Sequence, residues 1–418
     1  MLDLHTILSL KHHAASWVAQ HAVGMVLDSN ECQSAFGLKN YELLIAAGVK
    51  HEVKAGEMAF EKLDQFIREH QQEWSFGFLT YDLKNQLEAL YSTHSDKIGF
   101  PELYFFVPQK LIVVDKNGEC IMGKEWIDEV LQQSETVPVN YSINIKQRVA
   151  KEQYIEDVEA IKQHIVNGDV YELNYCVEFC AEQVSIQPDR VYNQLRNKSA
   201  VPFGCFVKYN HQYVMGASPE RFLLKQGNTV YSQPIKGTSK RGYSPEEDEE
   251  LKLALLHSEK ERAENLMIVD LVRNDLARSS QTGTVKVEEL FGIYSFPQVH
   301  QMVSTVSAII KKDSTLSEII QNAFPMGSMT GAPKIMAMKL IEQYERTKRG
   351  LYSGAIGFIT PEGNMDLNVV IRSIQYNETI RYLNFEVGGA ITYDSIAEQE
   401  YEECLLKAKA MFEVLAGK

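Results

Sequence analysis

The chain has 418 residues, enough for one large domain or about two to three ordinary ones. It carries 42 basic and 56 acidic residues, a net charge of -14, and this balance excludes a general nucleic-acid binder, which needs a basic surface. No apolar run approaches the length of about eighteen residues that a membrane span needs, and the amino terminus lacks a basic segment followed by an apolar one, so we expect a cytoplasmic protein with no membrane partner.

The first part of the chain alternates between strand-like and helical segments. Residues 74–82 and 111–115 are rich in β-branched and aromatic side chains and predict strands. Residues 132–140 are polar and show no periodicity, which predicts a linker. We therefore expect an N-terminal region over residues 1–140 and a second region over residues 145–418.

The second part of the chain shows clearer periodicity. Apolar residues at 154, 158, 161 and 165 predict a helix that ends at Asn167-Gly168. Further helices are predicted at 258–272, from Pro333 to 346–350, and from a capping box of Ser395 and Glu398 almost to the end. Strands are predicted at 170–179, 204–209, 221–225, 355–360 and 365–374. Long strands mixed with helices in irregular order predict an α+β fold.

Two pairs of glutamates stand three residues apart on predicted helices. The pairs are Glu261 with Glu264 and Glu400 with Glu403. Residues at this spacing share one helix face. If the two faces met, their oxygens would suit Mg²⁺ with waters and a substrate carboxylate. A solvated acidic face is the alternative explanation of the same spacing.

Three other segments are candidates for binding or catalysis. Residues 327–334 resemble a phosphate-binding loop, but the glycine and lysine spacing departs from that motif. We therefore do not expect ATP to bind there, although the backbone N–H groups could still bind an anion. Lys236 lies between an apolar residue and a glycine, where a desolvated amine becomes a nucleophile, although a surface lysine in a turn fits equally. Strand alternation places Arg372 opposite the apolar positions of 365–371, where it could bind a carboxylate or lie exposed at the rim.

Taken together and in order, the motifs resemble the chorismate-utilising enzymes, a family that includes anthranilate, aminodeoxychorismate, isochorismate and salicylate synthases. The matching segments are 218–222, 234–238, 264–275, 327–334, 352–357, 371–373 and 388–391 with the last helix, and 25–29 and 74–82 also fit. The resemblance implies two facing antiparallel sheets wrapped by helices, with the active site between the sheets. It also implies that the N-terminal region at 1–140 is intertwined with a chorismate-binding catalytic region at 145–418.

Lys236 indicates the branch of the family. The aminodeoxychorismate branch carries Lys at this position, where anthranilate synthases carry Ala, and we therefore expect component I of an aminodeoxychorismate synthase acting in para-aminobenzoate and folate synthesis. Glu172 stands where amine-adding members usually carry Gln, which leaves its role open. The alternatives are an anthranilate synthase component I, and a non-catalytic binder of chorismate or tryptophan.

The resemblance also implies roles for individual residues. Lys236, held neutral by nearby positive charge, would attack C2 of chorismate while Glu220 protonates the departing C4 hydroxyl. Mg²⁺ would be bound by Glu261, Glu264, Glu400 and Glu403. The expected substrate-binding residues are Gly237, Thr238, Gln301, Thr330, Gly331, Tyr352, Arg372, Gly388, Gly389 and Lys407.

The nitrogen source and one neighbouring histidine complete the predictions. Ammonia would displace Lys236 at C4, and because none of the six cysteines lies in a Gly-x-Cys-x-Gly turn, we expect a separate glutamine amidotransferase subunit to supply it. His300 precedes Gln301, and neighbours on a strand point to opposite faces, so we expect only one of them to reach the substrate.

Overall fold

Helices and strands are interspersed in irregular order along the described chain. The computed structural model describes residues 2–32, 35–38, 40–134 and 139–416. The helices are α1 Leu4–Ala19, α2 Ala59–Glu69, α3 Lys84–Leu87, α4 Ile127–Leu131, α5 Lys151–Val166, α6 Pro188–Lys198, α7 Pro245–His257, α8 Glu259–Ser279, α9 Leu316–Ala323, α10 Lys334–Tyr344 and α11 Ala397–Ala416.

The strands form one hydrogen-bonded network. They are β1 Val23–Asp28, β2 Tyr41–Ala55, β3 Ser75–Leu79, β4 Leu103–Asp115, β5 Cys120–Met122, β6 Lys146–Gln147, β7 Glu172–Glu182, β8 Phe203–Tyr209, β9 Gln212–Ser218, β10 Arg221–Gln226, β11 Thr229–Gln233, β12 Ile235–Lys240, β13 Lys286–Ser295, β14 Val299–Ile309, β15 Gly331–Ala332, β16 Ala355–Ile359, β17 Met365–Val369, β18 Ser373–Asn377 and β19 Tyr382–Ile391. Their pairings within the described ranges are antiparallel.

The network follows a path that turns back on itself. Its hydrogen bonds connect β14, β11, β10, β17, β16, β3, β4, β2, β1, β8, β9, β18, β19 and β7 in that order. β12 pairs with β14 at the first end of this path, and its Lys236 contacts Glu172 of β7 at the last end. The two ends therefore face each other, which confirms the predicted α+β class with facing antiparallel sheets.

Apolar side chains fill three layers around this path. One cluster packs α1, α5, α6 and α11 against the part of the path that runs from β1 through β8, β9, β18 and β19 to β7. It includes Trp17 and Tyr154. A second packs α2, α8 and α9 against the part of the path that runs from β10 through β17, β16 and β3 to β4. It includes Ile268 and Ile320. The third lies between the two halves and includes Phe76. Helices thus cover both outer faces, and burial of apolar surface holds the halves together.

Residues from both predicted regions share this network. β1 pairs with β8, and β3 pairs with β16, so strands from before residue 140 lie beside strands from after residue 145. The predicted linker at 132–140 falls partly on residues 135–138, which lie outside the described residues. In the part of the chain that the structure describes, no helix has the length and apolar character to cross a bilayer.

The structure corrects two local predictions and contains one helix that was not predicted. The strand predicted at 365–374 ends at Val369, because Arg372 adopts a positive φ of 50° that no strand can continue through. Helix α7 was not predicted, since Leu255 is its one fully buried residue and no apolar stripe marks it. Ser395 does not cap α11; its hydroxyl donates to Glu400 at 2.8 Å, and the helix begins at Ala397.

Candidate active site

A cavity of about 130 Å³ lies where the two ends of the strand path meet. Its walls come from β12, β14 and β19, from the helices α8 and α11, and from the connections before β10, before β16 and after β17. The predicted residues that line it are Glu220, Lys236, Gly237, Thr238, Glu261, Glu264, Gln301, Tyr352, Arg372, Gly388, Glu400, Glu403 and Lys407. Side chains far apart in the sequence therefore converge on one small space.

Lys236 is paired with a carboxylate at the centre of this cavity. Its Nζ lies 2.6 Å from Oε1 of Glu172, and the side chains are 9% and 0% exposed. Burial lowers the pKa of Lys236, but the carboxylates of Glu172 and Glu264 outweigh burial and raise it above its usual value. The expectation that positive charge keeps this amine neutral is therefore wrong, since its nearest charged neighbour is an anion.

Glu172 has a second oxygen available. Its Oε2 is buried and accepts no hydrogen bond among the described residues. The residue begins β7, where Gly331 and Ala332 of β15 pair with Leu173 and Glu172. A buried carboxylate with an unsatisfied oxygen is unfavourable in isolation, which makes it a candidate to accept a proton during a reaction.

Glu220 is a buried carboxyl group whose pKa lies close to neutral pH. It lies in the short connection between β9 and β10 and is 3% exposed. Burial raises the pKa of Glu220 to about 7, against the lowering effect of a hydrogen bond from Ser328, whose Oγ donates to Oε1 at 2.6 Å. A carboxyl group with this pKa can donate a proton near neutral pH.

The two glutamate pairs face each other across the same end of the cavity. Lys260 of α8 reaches both helices, with Nζ 3.9 Å from Glu264 and 3.4 Å from Glu400. Burial raises the pKa of Glu264 to about 7, whereas the Lys407 ammonium, 2.8 Å from Glu403, lowers the pKa of that carboxyl. The predicted meeting of the two acidic faces is present.

The carboxylate oxygens at this acidic end are suitable ligands for a hard divalent cation. Oε1 of Glu264 is buried and accepts no hydrogen bond from a described residue. The one set of three metal-type side chains in the described ranges with ligand atoms within 4.8 Å of one another lies elsewhere, so the four glutamates do not form a closed shell. Mg²⁺ fits an open set of this kind, because it usually takes one or two carboxylates and completes its shell with water and substrate oxygens.

Cationic groups also line the cavity. Removal from water lowers the pKa of Arg372 to about 10, against the opposing effect of Glu220. Lys407 donates to the backbone oxygen of Gly388 at 2.8 Å as well as contacting Glu403.

Gly237 has a φ of +94°, and a Cβ there would come within 3.0 Å of Glu261, so this wall needs glycine.

The neighbours His300 and Gln301 point to opposite faces of β14. His300 is fully buried away from the cavity, with Nε2 3.0 Å from Asp248 and Nδ1 2.8 Å from Ser295. Gln301 lies opposite Thr238 on β12, lines the cavity, and its Oε1 accepts no hydrogen bond within the described chain. Gln301 is therefore the member of this pair that can contact a ligand.

Three predicted binding residues do not line the cavity. The Thr330 hydroxyl donates to the backbone oxygens of Met326 and Gly327, so it is occupied within its own turn. Gly331 pairs with Leu173 in β15. Gly389 lies beside the wall, where a Cβ would be 3.4 Å from Glu400 Oε2.

Several lining residues were not predicted from the sequence. They include Asn174, Lys260, Ser328 and Glu386. Ser328 lies within the glycine-rich segment, which was interpreted only as an anion site, and no sequence signal connects it with Glu220. The Lys334 that ends this segment donates to Asp275 at 2.7 Å, so its ammonium is paired within the fold.

Comparisons with known proteins agree with this geometry. Residues 25–413 match the family described as chorismate binding enzyme. The chain is 41% identical over 364 residues to the chloroplastic aminodeoxychorismate synthase of Arabidopsis thaliana, covering 80% of this chain but 39% of that protein. It is 33% identical to aminodeoxychorismate synthase component 1 of Bacillus subtilis, covering 81% of this chain and 76% of that protein.

A solved structure has the same architecture. Anthranilate synthase component I from Streptococcus pneumoniae TIGR4 superposes with a TM-score of 0.77 at 28% identity, covering 88% of this chain and 91% of the other. The match extends over both halves of the strand path.

Proposed function

The chain belongs to the family of chorismate binding enzymes, and we propose that it is component I of an aminodeoxychorismate synthase. It converts chorismate and ammonia to 4-amino-4-deoxychorismate, a precursor of para-aminobenzoate and folate. The observation that carries this choice is the Lys236 amine inside the cavity, at the position where the resemblance implies Ala for anthranilate synthases. The names of the Arabidopsis and Bacillus relatives support the same choice.

The cavity suits the charges of chorismate, which is a dianion. Arg372 and Lys407 provide cations for its carboxylates. Glu264 and Glu403, with Glu261 and Glu400 beside them, would hold Mg²⁺. The bound ion would supply positive charge next to the ring carboxylate and withdraw electron density from the diene.

Proton transfer from Lys236 precedes the covalent step. The ammonium of Lys236 passes one proton to the adjacent Glu172 carboxylate, which leaves a neutral amine and a carboxylic acid. The amine then attacks C2 of the ring, the diene electrons shift, and the bond between C4 and its hydroxyl breaks. Glu220 gives its proton to the departing hydroxyl, which leaves as water.

Ammonia completes the reaction at C4. It bonds to C4 while the bond from C2 to Nζ of Lys236 breaks, which returns the neutral amine. Glu172 gives its proton back to Lys236, and the new C4 ammonium loses a proton that restores Glu220. Because Lys236 occupies C2 during the reaction, nitrogen enters at C4.

Glutamine would need a second subunit to release its ammonia. Hydrolysis of glutamine requires an activated cysteine. Burial raises the pKa of the Cys205 thiol to about 12 and that of Cys404 to about 11, so both are poor nucleophiles. A partner of the glutamine amidotransferase class therefore supplies ammonia in this proposal.

Product analysis tests the proposal and separates it from anthranilate synthesis. The purified chain is incubated with chorismate, Mg²⁺ and either ammonium salt or glutamine, and we expect 4-amino-4-deoxychorismate with ammonium and no glutamate release from glutamine. The Lys236→Ala variant should form 2-amino-2-deoxyisochorismate slowly. The Lys236→Arg variant should not form the 4-amino product, because guanidinium stays protonated and cannot attack C2. Anthranilate from the wild type would contradict the proposal, and so would unchanged 4-amino product from Lys236→Arg.

A further inference from the structure

A second group of metal-type side chains lies outside the catalytic cavity, at the connection between α2 and β3. It consists of His51 on β2, His70 at the carboxyl end of α2, and Glu73 two residues before β3. One ligand atom from each residue lies within 4.8 Å of the others. Two imidazoles and a carboxylate thus lie close together at the surface.

The backbone fixes the positions of all three residues. The register between β2 and β4 shifts between Val49 and His51, and a bulge of this kind changes the direction of the side chains beside it. The His70 N–H donates to the Phe66 oxygen at 3.1 Å, and the Glu73 N–H donates to the His70 oxygen at 2.9 Å. The loop ligands are therefore held by hydrogen bonds before any ion binds.

Contacts hold the three side chains close together. The two imidazole rings are stacked with centroids 4.3 Å apart and an interplanar angle of 21°. His70 Nδ1 lies 3.3 Å from Glu73 Oε1, and the two side chains are 17% and 29% exposed. Phe66 packs against His70 with ring centroids 4.8 Å apart, which restricts the imidazole further.

Lys50 contacts the other oxygen of the carboxylate. Its Nζ donates to Glu73 Oε2, so Oε1 remains directed at His70. Carboxylates that bind metals commonly accept such a bond on their second oxygen, which fixes their orientation.

We propose that His51, His70 and Glu73 bind a divalent transition-metal ion of the Zn²⁺ class. Two imidazole nitrogens and one carboxylate oxygen suit Zn²⁺ and not Mg²⁺, which prefers oxygen donors throughout. His70 and Glu73 also border a cavity of about 290 Å³, which leaves room for water at the remaining coordination position. The bound ion would connect β2 to the loop that follows α2 and stabilise this side of the fold.

Zn²⁺ titration tests the site. Calorimetry is done on the full chain in saturating Mg²⁺, so that the glutamates of the catalytic cavity are occupied, and one equivalent of Zn²⁺ should bind. His51→Gln and His70→Gln should each weaken this binding at least about tenfold, since each removes a ligand. Zn²⁺ should also raise the thermal midpoint of the wild type but not of the double variant.

A matched histidine elsewhere provides the control. His211 is exposed and lies 3.4 Å from Glu378, but no second imidazole accompanies the pair, so His211→Ala should bind Zn²⁺ as the wild type does. The proposal is overturned if Zn²⁺ shows no saturable binding, if the His51 and His70 variants bind it unchanged, or if His211→Ala weakens it equally. Absorption of bound Co²⁺ in the visible range, lost in His70→Gln, gives a second readout.

Discussion

Replacing Glu220 with Gln tests the group that we propose as the general acid. Burial raises the pKa of this carboxyl from 4.5 to about 7. Since each tenfold change in proton affinity corresponds to about 1.4 kcal/mol, ionising Glu220 costs about 3 kcal/mol more in the folded chain than in the unfolded chain. The protonated donor is therefore populated up to about pH 7.

Two consequences can be measured in the Glu220→Gln variant. The rate constant kcat/KM should fall about a hundred- to ten-thousand-fold, and the decline of the wild-type rate above about pH 7 should disappear. The raised pKa stabilises the wild type fully below pH 4.5, and this contribution is lost as the pH rises through about 7. Between pH 5 and pH 8, urea unfolding should therefore show the stability of the variant rising by about 2.5 kcal/mol relative to that of the wild type.

Two control variants identify the titrating group. Ser328→Ala removes the hydrogen bond that lowers the pKa of Glu220, so the alkaline decline should move to higher pH. Glu264 also has a pKa of about 7, but Glu264→Gln should keep the decline even though its activity is low. The reasoning is refuted if Glu220→Gln keeps the decline, or if it loses less than about tenfold in rate while chemistry is rate-limiting.

Two further substitutions test the metal and the proton acceptor. Glu264→Gln should lower activity sharply with partial recovery at high Mg²⁺, because an anionic ligand is replaced by a neutral group; full activity in excess EDTA would contradict Mg²⁺ dependence. Glu172→Gln should slow formation of the Lys236 adduct, followed by mass spectrometry without ammonia, by about a hundred-fold or more, because no carboxylate accepts the proton. Glu178→Gln on the same strand, outside the cavity, is the control, and an unchanged adduct rate in Glu172→Gln would exclude the transfer.

The sequence predicted those elements whose pattern is local. The apolar spacing of α5 identified its helix, and Tyr154, Val158 and Ile161 are buried as expected. Helix α8 was recognised but extends to Ser279, beyond the predicted end, because buried Asp275 and Ser279 interrupt the apolar pattern. Helix α7 escaped prediction because its surface is mostly polar and its packing involves few side chains.

The catalytic residues were predictable where a motif carried them, and their partners were not. The glutamate pairs and Lys236 could be named from spacing and resemblance. The contact between Lys236 and Glu172 depends on the path of strands that brings β12 to β7, which no local pattern encodes. The predicted strand at 365–374 failed at Arg372 for a related reason: the strand ends at Val369, and the positive φ of Arg372 was not visible in the sequence.

The buried charges of the cavity show why the fold maintains this arrangement. Burial raises the pKa of Glu220 and Glu264 and lowers that of Arg372, so each of these groups is less stable in its charged form here than in water. A chain selected for stability alone would place apolar side chains at these positions. In the proposed function, a dianionic substrate would neutralise Arg372 and Mg²⁺ would neutralise Glu264, which offsets the cost of burying these charges. The proposed reaction gives a role to each of these three residues: Glu220 donates a proton, Glu264 holds the cation and Arg372 binds a carboxylate.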